Sequence, residues 1–456
     1  MSAPGANRRQ IVRGSRVVTP FGPEPADILI EDERILAIEP HGTATAAHVI
    51  DAAERLVLPG LVDSHVHTRD PGQTYKEDFR SVTCAAARGG VTTIMAMPNT
   101  VPVIDSVGAF DAAVEAGQKS IVDFAIQALA HASSLGDISA LAARGAVSFE
   151  LFLGGGPPAV VTRERAMQHA LFRAVGAAGG LMGVYPDDPA ICAALDCGGD
   201  AEAIGRAHPG EVEAGALISV LSLAAGQRCP VHVRQVSTAL TVLAISELRR
   251  RMPDLLTAEV TPHHLALTMH DFVRCGAHGL IMPPLRTAPD SESLWKAIDR
   301  GEIATIGSDH APHHADEKAT GQGDLRKALP GFPGLETLLP VVLSEFRRRG
   351  LSEQTFTRLA CETPARLFGI GARKGALAPG FDADLVIVDD HVDEAIDCTA
   401  FLSKARYSPF HGRRVNTRVD LTMVRGRTVY AGGKADENAQ RGRLLRRSAA
   451  GVAAQG

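Results

Sequence analysis

The chain has 456 residues, of which 45% are hydrophobic and 22% charged, and a formal net charge of −5. That length holds more than one core, and the balance is that of an ordinary globular protein. The mild negative charge gives no electrostatic reason to bind nucleic acid or an anionic membrane, and no run of about 18 apolar residues suggests a membrane span.

The N-terminal MSAPGANRRQ carries basic residues with no apolar stretch behind them, so no secretion signal is expected. The seven cysteines are scattered and contain no CxxC pair. Reduced thiols and a cytoplasmic location are the expectation.

Residues 11–58 alternate short apolar runs with turn signals, as in IVRGSRVVTP and DILIEDERILAIEP. Residues 375–433 do the same. Both stretches predict short strands. The expected organisation is a β-sandwich domain built from both chain ends, residues 1–55 and 371–433. Residues 434–456, rich in Arg and Ala, are expected to form a loose tail.

Between the two ends, apolar runs alternate with helical patterns. Eight such runs fall at 56–64, 91–97, 121–129, 146–153, 181–185, 230–236, 256–261 and 302–308. Stretches such as KEDFRSVTCAAARGG and STALTVLAISELRRRM predict helices between them. Parallel strands joined by helical crossovers follow, and eight units predict a (β/α)8 barrel over residues 56–370.

Chemistry in such a barrel sits at the C-terminal ends of the strands. In LVDSHVHTRDPG (61–72), His65 and His67 stand two apart and share a strand face. Two imidazoles so placed can grip one divalent cation, although an HxH pair alone is weak evidence. In IATIGSDHAPHH, Asp309 ends the eighth run. A carboxylate there can be a ligand or take a proton from water, or simply cap the next segment. Barrel closure makes the first and eighth strands neighbours, so the combination is more specific than either part. His263 and His264 follow the seventh run, where capping the strand or lining the pocket is more natural than a ligand role. LPGFPGLE (329–336) and FLGGGPP (152–158) are expected to be loops beside the pocket. The latter lacks the Lys-Ser/Thr ending of a phosphate-binding loop.

PGLVDSHVHTRDPGQTYKEDF, GGVTTIMAMPNT, AEVTPHHLALT, MPPLRT, IGSDHAPHHADEK, GFPGLETLLP and KGALAPGFDADLVIVD run in order along the chain. Together they resemble the amidohydrolase superfamily, in its dihydroorotase, hydantoinase and allantoinase group, with dihydroorotase nearest. The resemblance implies a metal-dependent hydrolase of cyclic amides or ureides. It places metal ligands at His65, His67 and Asp309, and a proton-transfer role at Asp309. A grip on the substrate carboxylate falls at Arg69, Asn99 and His313. For Arg69 the alternative is a salt bridge with Asp70 or Glu77.

Three positions depart from the resemblance. Glu150 stands where the group carries a lysine that becomes carboxylated and bridges two metals. Tyr185 and Gln235 stand where it carries histidines. Glu150 is still a carboxylate, so it is expected as a fourth ligand of the first site. Tyr185 and Gln235 are poor zinc ligands. His232, three residues from Gln235, is expected on the opposite strand face. One Zn2+ per subunit is therefore expected, with no second site. The implied reaction is dihydroorotate plus water to N-carbamoyl-aspartate, in a homo-oligomer. The competing expectation is a non-catalytic scaffold subunit, with aspartate transcarbamoylase as its partner.

Overall fold

The computed structural model describes residues 9–157, 159–196, 198–438 and 442–448. Residues 1–8 of the expected β domain, Cys197, and residues 439–441 and 449–456 of the expected tail lie outside the described residues. The six described cysteines are free thiols, and among the described residues no helix is long and apolar enough to cross a membrane.

The strand His48–Pro59 joins the two chain ends. It pairs in parallel with Arg9–Thr19 and antiparallel with Leu385–Asp389. Among the described residues the resulting sheet has eight strands. In space it runs from Lys434–Ala435 through Arg427–Ala431, Arg418–Val424 and Leu385–Asp389 to His48–Pro59, then Arg9–Thr19, Gly22–Glu31 and Arg34–Pro40. The expected sandwich is thus hydrogen-bonded as one sheet. Its register shifts at Gly14–Val17 and at Ile387–Val388, the kind of irregularity that bends a strand. Alternate residues such as Ile28 and Ile30 pack inward with Val12, Val57, Ile387 and Met423.

The boundary with the barrel lies at Gly60, not at residue 55. Leu56–Pro59 belong to the sheet, and the first barrel strand begins at Leu61. A Cβ on Gly60 would lie 2.2 Å from Thr92 Oγ1, so only glycine fits this crossing. A second departure concerns residues 396–413. They leave the β domain, and Phe401, Tyr407 and Phe410 pack with Leu280, Ile281 and Phe332 of the barrel mouth.

All eight expected barrel strands form, and each is shorter than its apolar run. They are Leu61–Val66, Val91–Ala96, Asp123–Ile126 continued by Ala128–Leu129, Phe149–Phe152, Met182–Tyr185, Val231–Val233, Leu256–Val260 and Thr305–Ile306. Every neighbouring pair is parallel. The ring closes where Val66 bridges His310 and the His67 amide donates to the His310 carbonyl at 2.8 Å. The two expected helices appear as Phe79–Arg88, capped by Asp78, and Ala239–Arg251, capped by Thr238. In each, the cap side chain accepts from the third backbone N–H, one of the groups a helix start leaves unpaired.

The third strand pairs with the second before Gln127 and with the fourth after it, which leaves one edge open at Asp123–Ala125. Residues 442–448 fill that edge. The Leu445 amide donates to the Phe124 carbonyl at 2.7 Å, and the Phe124 amide to the Arg443 carbonyl at 3.0 Å. Leu445 is buried beside Val62, Met95 and Phe368. This part of the expected loose tail is therefore anchored. Unpaired strand edges and a buried leucine both draw it in.

Candidate active site

His65 and His67 end the first strand facing Asp309, as their spacing predicts. His65 Nε2 lies 3.1 Å and His67 Nε2 3.4 Å from Asp309 Oδ1. The ligand atoms of these three buried residues all fall within 4.8 Å of one another. Both rings are held from behind. His65 Nδ1 is 2.7 Å from Glu259 Oε1, and His67 Nδ1 is 2.7 Å from Asn99 Oδ1. An acceptor on Nδ1 keeps the proton there and leaves the Nε2 lone pair free, the arrangement a metal-binding imidazole needs. Two imidazoles and a carboxylate, buried and converging with their donor atoms exposed to one another, fit a divalent cation such as zinc.

Asn99 is thus placed differently from the expectation: its carbonyl oxygen orients a histidine, and its NH2 group remains for a substrate. Gln235 is not merely a lost ligand, because its Nε2 donates to Asp309 Oδ2. Strand alternation would aim Gln235 opposite to Arg234. Its backbone is left-handed, with φ +54°, as are those of Arg69 (φ +58°) and Asp309 (φ +48°). Three non-glycine residues in this costly region, all at one site, mark backbone that the surrounding fold holds under strain for a purpose.

The expected fourth ligand, Glu150, lies elsewhere. Its oxygens accept from Arg234 Nε at 3.1 Å and Nη2 at 2.9 Å, and from Ser148 Oγ at 2.6 Å. The reason is reach: a glutamate is shorter than a carboxylated lysine, and a guanidinium stands next to it. Tyr185 occupies the rim, with its hydroxyl 3.1 Å from His65 Nε2 and its ring stacked on Phe152.

Arg69 is buried and does not pair with Asp70, which binds Lys119 instead. Its Nε donates to the Pro312 carbonyl at 3.1 Å, and its Nη2 lies 3.2 Å from His313 Nε2. His313 Nε2 is also 2.9 Å from the Pro330 carbonyl, and Lys76 Nζ is 3.4 Å from its Nδ1. Arg69, His313 and Lys76 thus meet in one cationic corner. It opens on a cavity of about 700 Å3 that also takes in His65, His67, Asp309, Gly154–Pro157 and Leu329. Both expected loops line it, together with Val101, Phe152, Val160 and Ile281. That size suits a small ligand that is largely enclosed.

The environment sets the charges. Burial alone would raise the Asp309 carboxyl, but the neighbouring His65 and His67 outweigh it and hold the group down to about 2. Burial lowers His67 to about 4, and Arg69 adds to the effect, so its imidazole is neutral near pH 7. Burial opposes the protonation of His65 too, yet Asp309 and Glu259 together raise it. Burial and then Arg69 push His313 down to about 2. Burial lowers His263 to about 4; its Nε2 is 4.0 Å from Asp309 Oδ2 and has no hydrogen-bond partner. Thr261 caps the short helix Pro262–Ala266 by accepting from the His264 amide, and the His264 ring bridges Thr261 Oγ1 and the Pro283 carbonyl. His264 is not itself among the residues that line the cavity.

The residues the sequence did not single out are Glu259 and Arg234. Both are fully buried, and Arg234 Nη1 donates to Glu259 Oε2 at 2.8 Å. A signal was present: Glu in AEVT and Arg in HVRQV are charges inside otherwise apolar strands, and such charges stay buried only when paired.

Comparison with known proteins gives a consistent picture. The amidohydrolase family profile matches residues 208–429, and the dihydro-orotase-like profile matches residues 54–151. A dihydroorotase from Methanothermobacter thermautotrophicus is 35% identical over 415 residues, covering 90% of this chain and 91% of its own. An L-hydantoinase from Paenarthrobacter aurescens is 34% identical over 435 residues, covering 93% and 95%. An allantoinase from Rubrobacter xylanophilus is 35% identical over 454 residues, covering 93% and 94%. Among solved structures, the L-hydantoinase (dihydropyrimidinase) from Arthrobacter aurescens superposes with a TM-score of 0.92 at 33% identity, over 97% of this chain and 100% of that one. With its barrel, its paired histidines and its strand-eight aspartate, the chain belongs to the amidohydrolase superfamily, in the group of cyclic amidohydrolases that holds dihydroorotases, hydantoinases and allantoinases.

Proposed function

We propose that this protein hydrolyses a cyclic amide or ureide bearing a carboxylate, dihydroorotate being the reference substrate, with one divalent metal, zinc, held by His65, His67 and Asp309. The observation that carries this reading is the convergence of His65 Nε2, His67 Nε2 and Asp309 Oδ1 at the wall of a cavity whose other side is the Arg69–His313 corner. A barrel serving only as a scaffold has no physical need of that convergence.

A divalent cation held there supplies Lewis acidity toward an amide carbonyl and toward water. The chain does the rest. Arg69 is cationic and buried, so it can hold a carboxylate through charge-assisted hydrogen bonds in a site that excludes water. The Asn99 NH2 group and His313 complete the grip. Burial keeps the Tyr185 phenol protonated at neutral pH, so it can donate to a carbonyl oxygen that gains charge. Asp309, ionised at neutral pH, takes a proton from the attacking water and returns it to the leaving ring nitrogen. Gln235 on Oδ2 keeps that carboxylate from rotating away.

Zinc analysis of the purified protein, followed by hydrolysis assays on dihydroorotate, hydantoins and allantoin, tests the reading. One equivalent of zinc with turnover of a carboxylated ring supports it. Less than about half an equivalent of metal, with no turnover of any of the three, overturns it.

A further inference from the structure

Beneath the proposed metal site lies a second layer of buried charge that the reaction does not touch. Glu150, Arg234 and Glu259 have no solvent exposure. Arg234 binds both carboxylates, donates to Gln127 Oε1 at 2.6 Å, and lies over the Phe368 ring at 5.2 Å. Ser64 Oγ donates to Glu259 Oε2 at 3.0 Å, so Glu259 has one oxygen bound from below and the other on His65.

The fold has made room for this layer. A Cβ on Gly183 would lie 2.0 Å from Glu150 Oε2, and one on Gly307 would lie 2.6 Å from Glu259 Oε2. The fifth strand, and the chain just past the eighth, thus carry glycine beside the strand whose carboxylate a side chain would strike. The pairing of charge adds a second argument. Arg234 pairs with Glu150 and Glu259, whereas the Asp309 carboxylate meets only imidazoles and the Gln235 amide. Buried charge is stable only when compensated, and a divalent cation among His65, His67 and Asp309 would compensate it.

We propose that Glu259 is a positioning residue for His65, anchored by Arg234, and that this unit sets the capacity of the site at one divalent cation. Glu259 holds the His65 proton on Nδ1 and so turns the Nε2 lone pair toward Asp309. Arg234 binds Glu150 away from the His65–His67–Asp309 shell and supplies from the protein itself the positive charge that a second cation would otherwise bring. The inference rests on the single-metal reading above and adds residues and a count to it.

Zinc titration of the metal-free full-length protein by calorimetry, with stoichiometry checked by elemental analysis after dialysis, provides the test. Wild type should take one equivalent. Glu259→Gln should bind zinc roughly 10–100-fold more weakly, the usual effect of removing a carboxylate behind a ligating histidine, and its cobalt(II) derivative should show shifted d–d bands. A purely structural role for Glu259 would move neither the affinity nor the cobalt spectrum at matched fold content. Should Glu259→Gln fail to fold, long-range 15N spectra of histidine-labelled, zinc-loaded wild type give the same answer: His65 must be protonated at Nδ1. An unchanged zinc affinity in Glu259→Gln would overturn the inference and leave the hydrolase reading intact, whereas protonation of His65 at Nε2, or two equivalents bound by wild type, would overturn it together with the single-zinc site proposed above. Wild type that binds no zinc would overturn both.

Discussion

The barrel carries a buried charge cluster at each end, and the two are built on opposite plans. At the junction with the β domain, the Lys374 ammonium lies 2.6 Å from Asp123, 2.6 Å from Asp384 and 3.1 Å from Asp382. Arg373 also binds Asp382, and Arg425 binds Asp123. Every carboxylate there meets a cation of the protein. At the mouth, Glu150 and Glu259 share Arg234, Glu259 also meets His65, and Asp309 faces only imidazoles and the Gln235 amide. The lesson is that burial of charge does not by itself mark a functional site. The closed cluster ties two domains together. The one left short of positive charge, beside a cavity and on strained backbone, is the one fit for a cation.

Each cluster can be broken in a way that separates the two plans. The largest effect is expected from Asp309→Asn. Steady-state assays should show turnover lowered by roughly 10^2–10^4, the range for loss of a positioned proton carrier, and further where zinc is also lost. The melting temperature of the metal-free protein should fall slightly, because His65 and His67 favour the ionised Asp309 in the folded state. Retained turnover would remove Asp309 from the chemistry. Lys374→Met should do the reverse. Leaving Asp123, Asp382 and Asp384 short of a buried partner should cost about 3–5 kcal/mol in denaturant unfolding, while the increase in melting temperature on adding zinc should persist. Loss of that zinc response would show that the two ends are coupled.

Smaller effects sharpen the comparison at the mouth. Arg69→Ala should raise KM for carboxylated rings by roughly 10–100-fold, as expected for hydrogen bonds to a charged group, and change uncharged hydantoins little. An equal loss on both would show that Arg69 serves the fold instead. The smallest effect is in the pH dependence. His263 falls from 6.5 to about 4 in the folded state because of burial. Between those values the unfolded chain takes up a proton that the folded chain refuses, so stability is lost as pH falls through that window. His263→Gln should flatten this part of the melting-temperature profile; an unaltered slope between pH 6.5 and 4 would exclude the contribution.

The sequence was most legible where a repeating period carried the information. Eight apolar runs became eight barrel strands because a strand buried on both faces must be apolar along its length. Tyr185 and Gln235 were readable as departures but not as parts. Nothing in the text shows that Gln235 reaches Asp309, since its strand position argues for the other face and only its left-handed backbone brings it round. The stretch 396–413 and the residues around Leu445 have no period, and their burial depends on surfaces offered by distant parts of the chain.

By itself, then, the sequence determined the barrel, the strand face shared by His65 and His67, and the membership that places Asp309 opposite them, because these follow from local spacing and from motifs in order. Only the tertiary structure decided which charges meet: Glu259 with His65, Arg234 with Glu150, Asn99 with His67, and residues 442–448 with the open strand edge. Spacing along a strand says which way a side chain points, whereas its partner is chosen by strands tens to hundreds of residues away, brought alongside when the barrel closes.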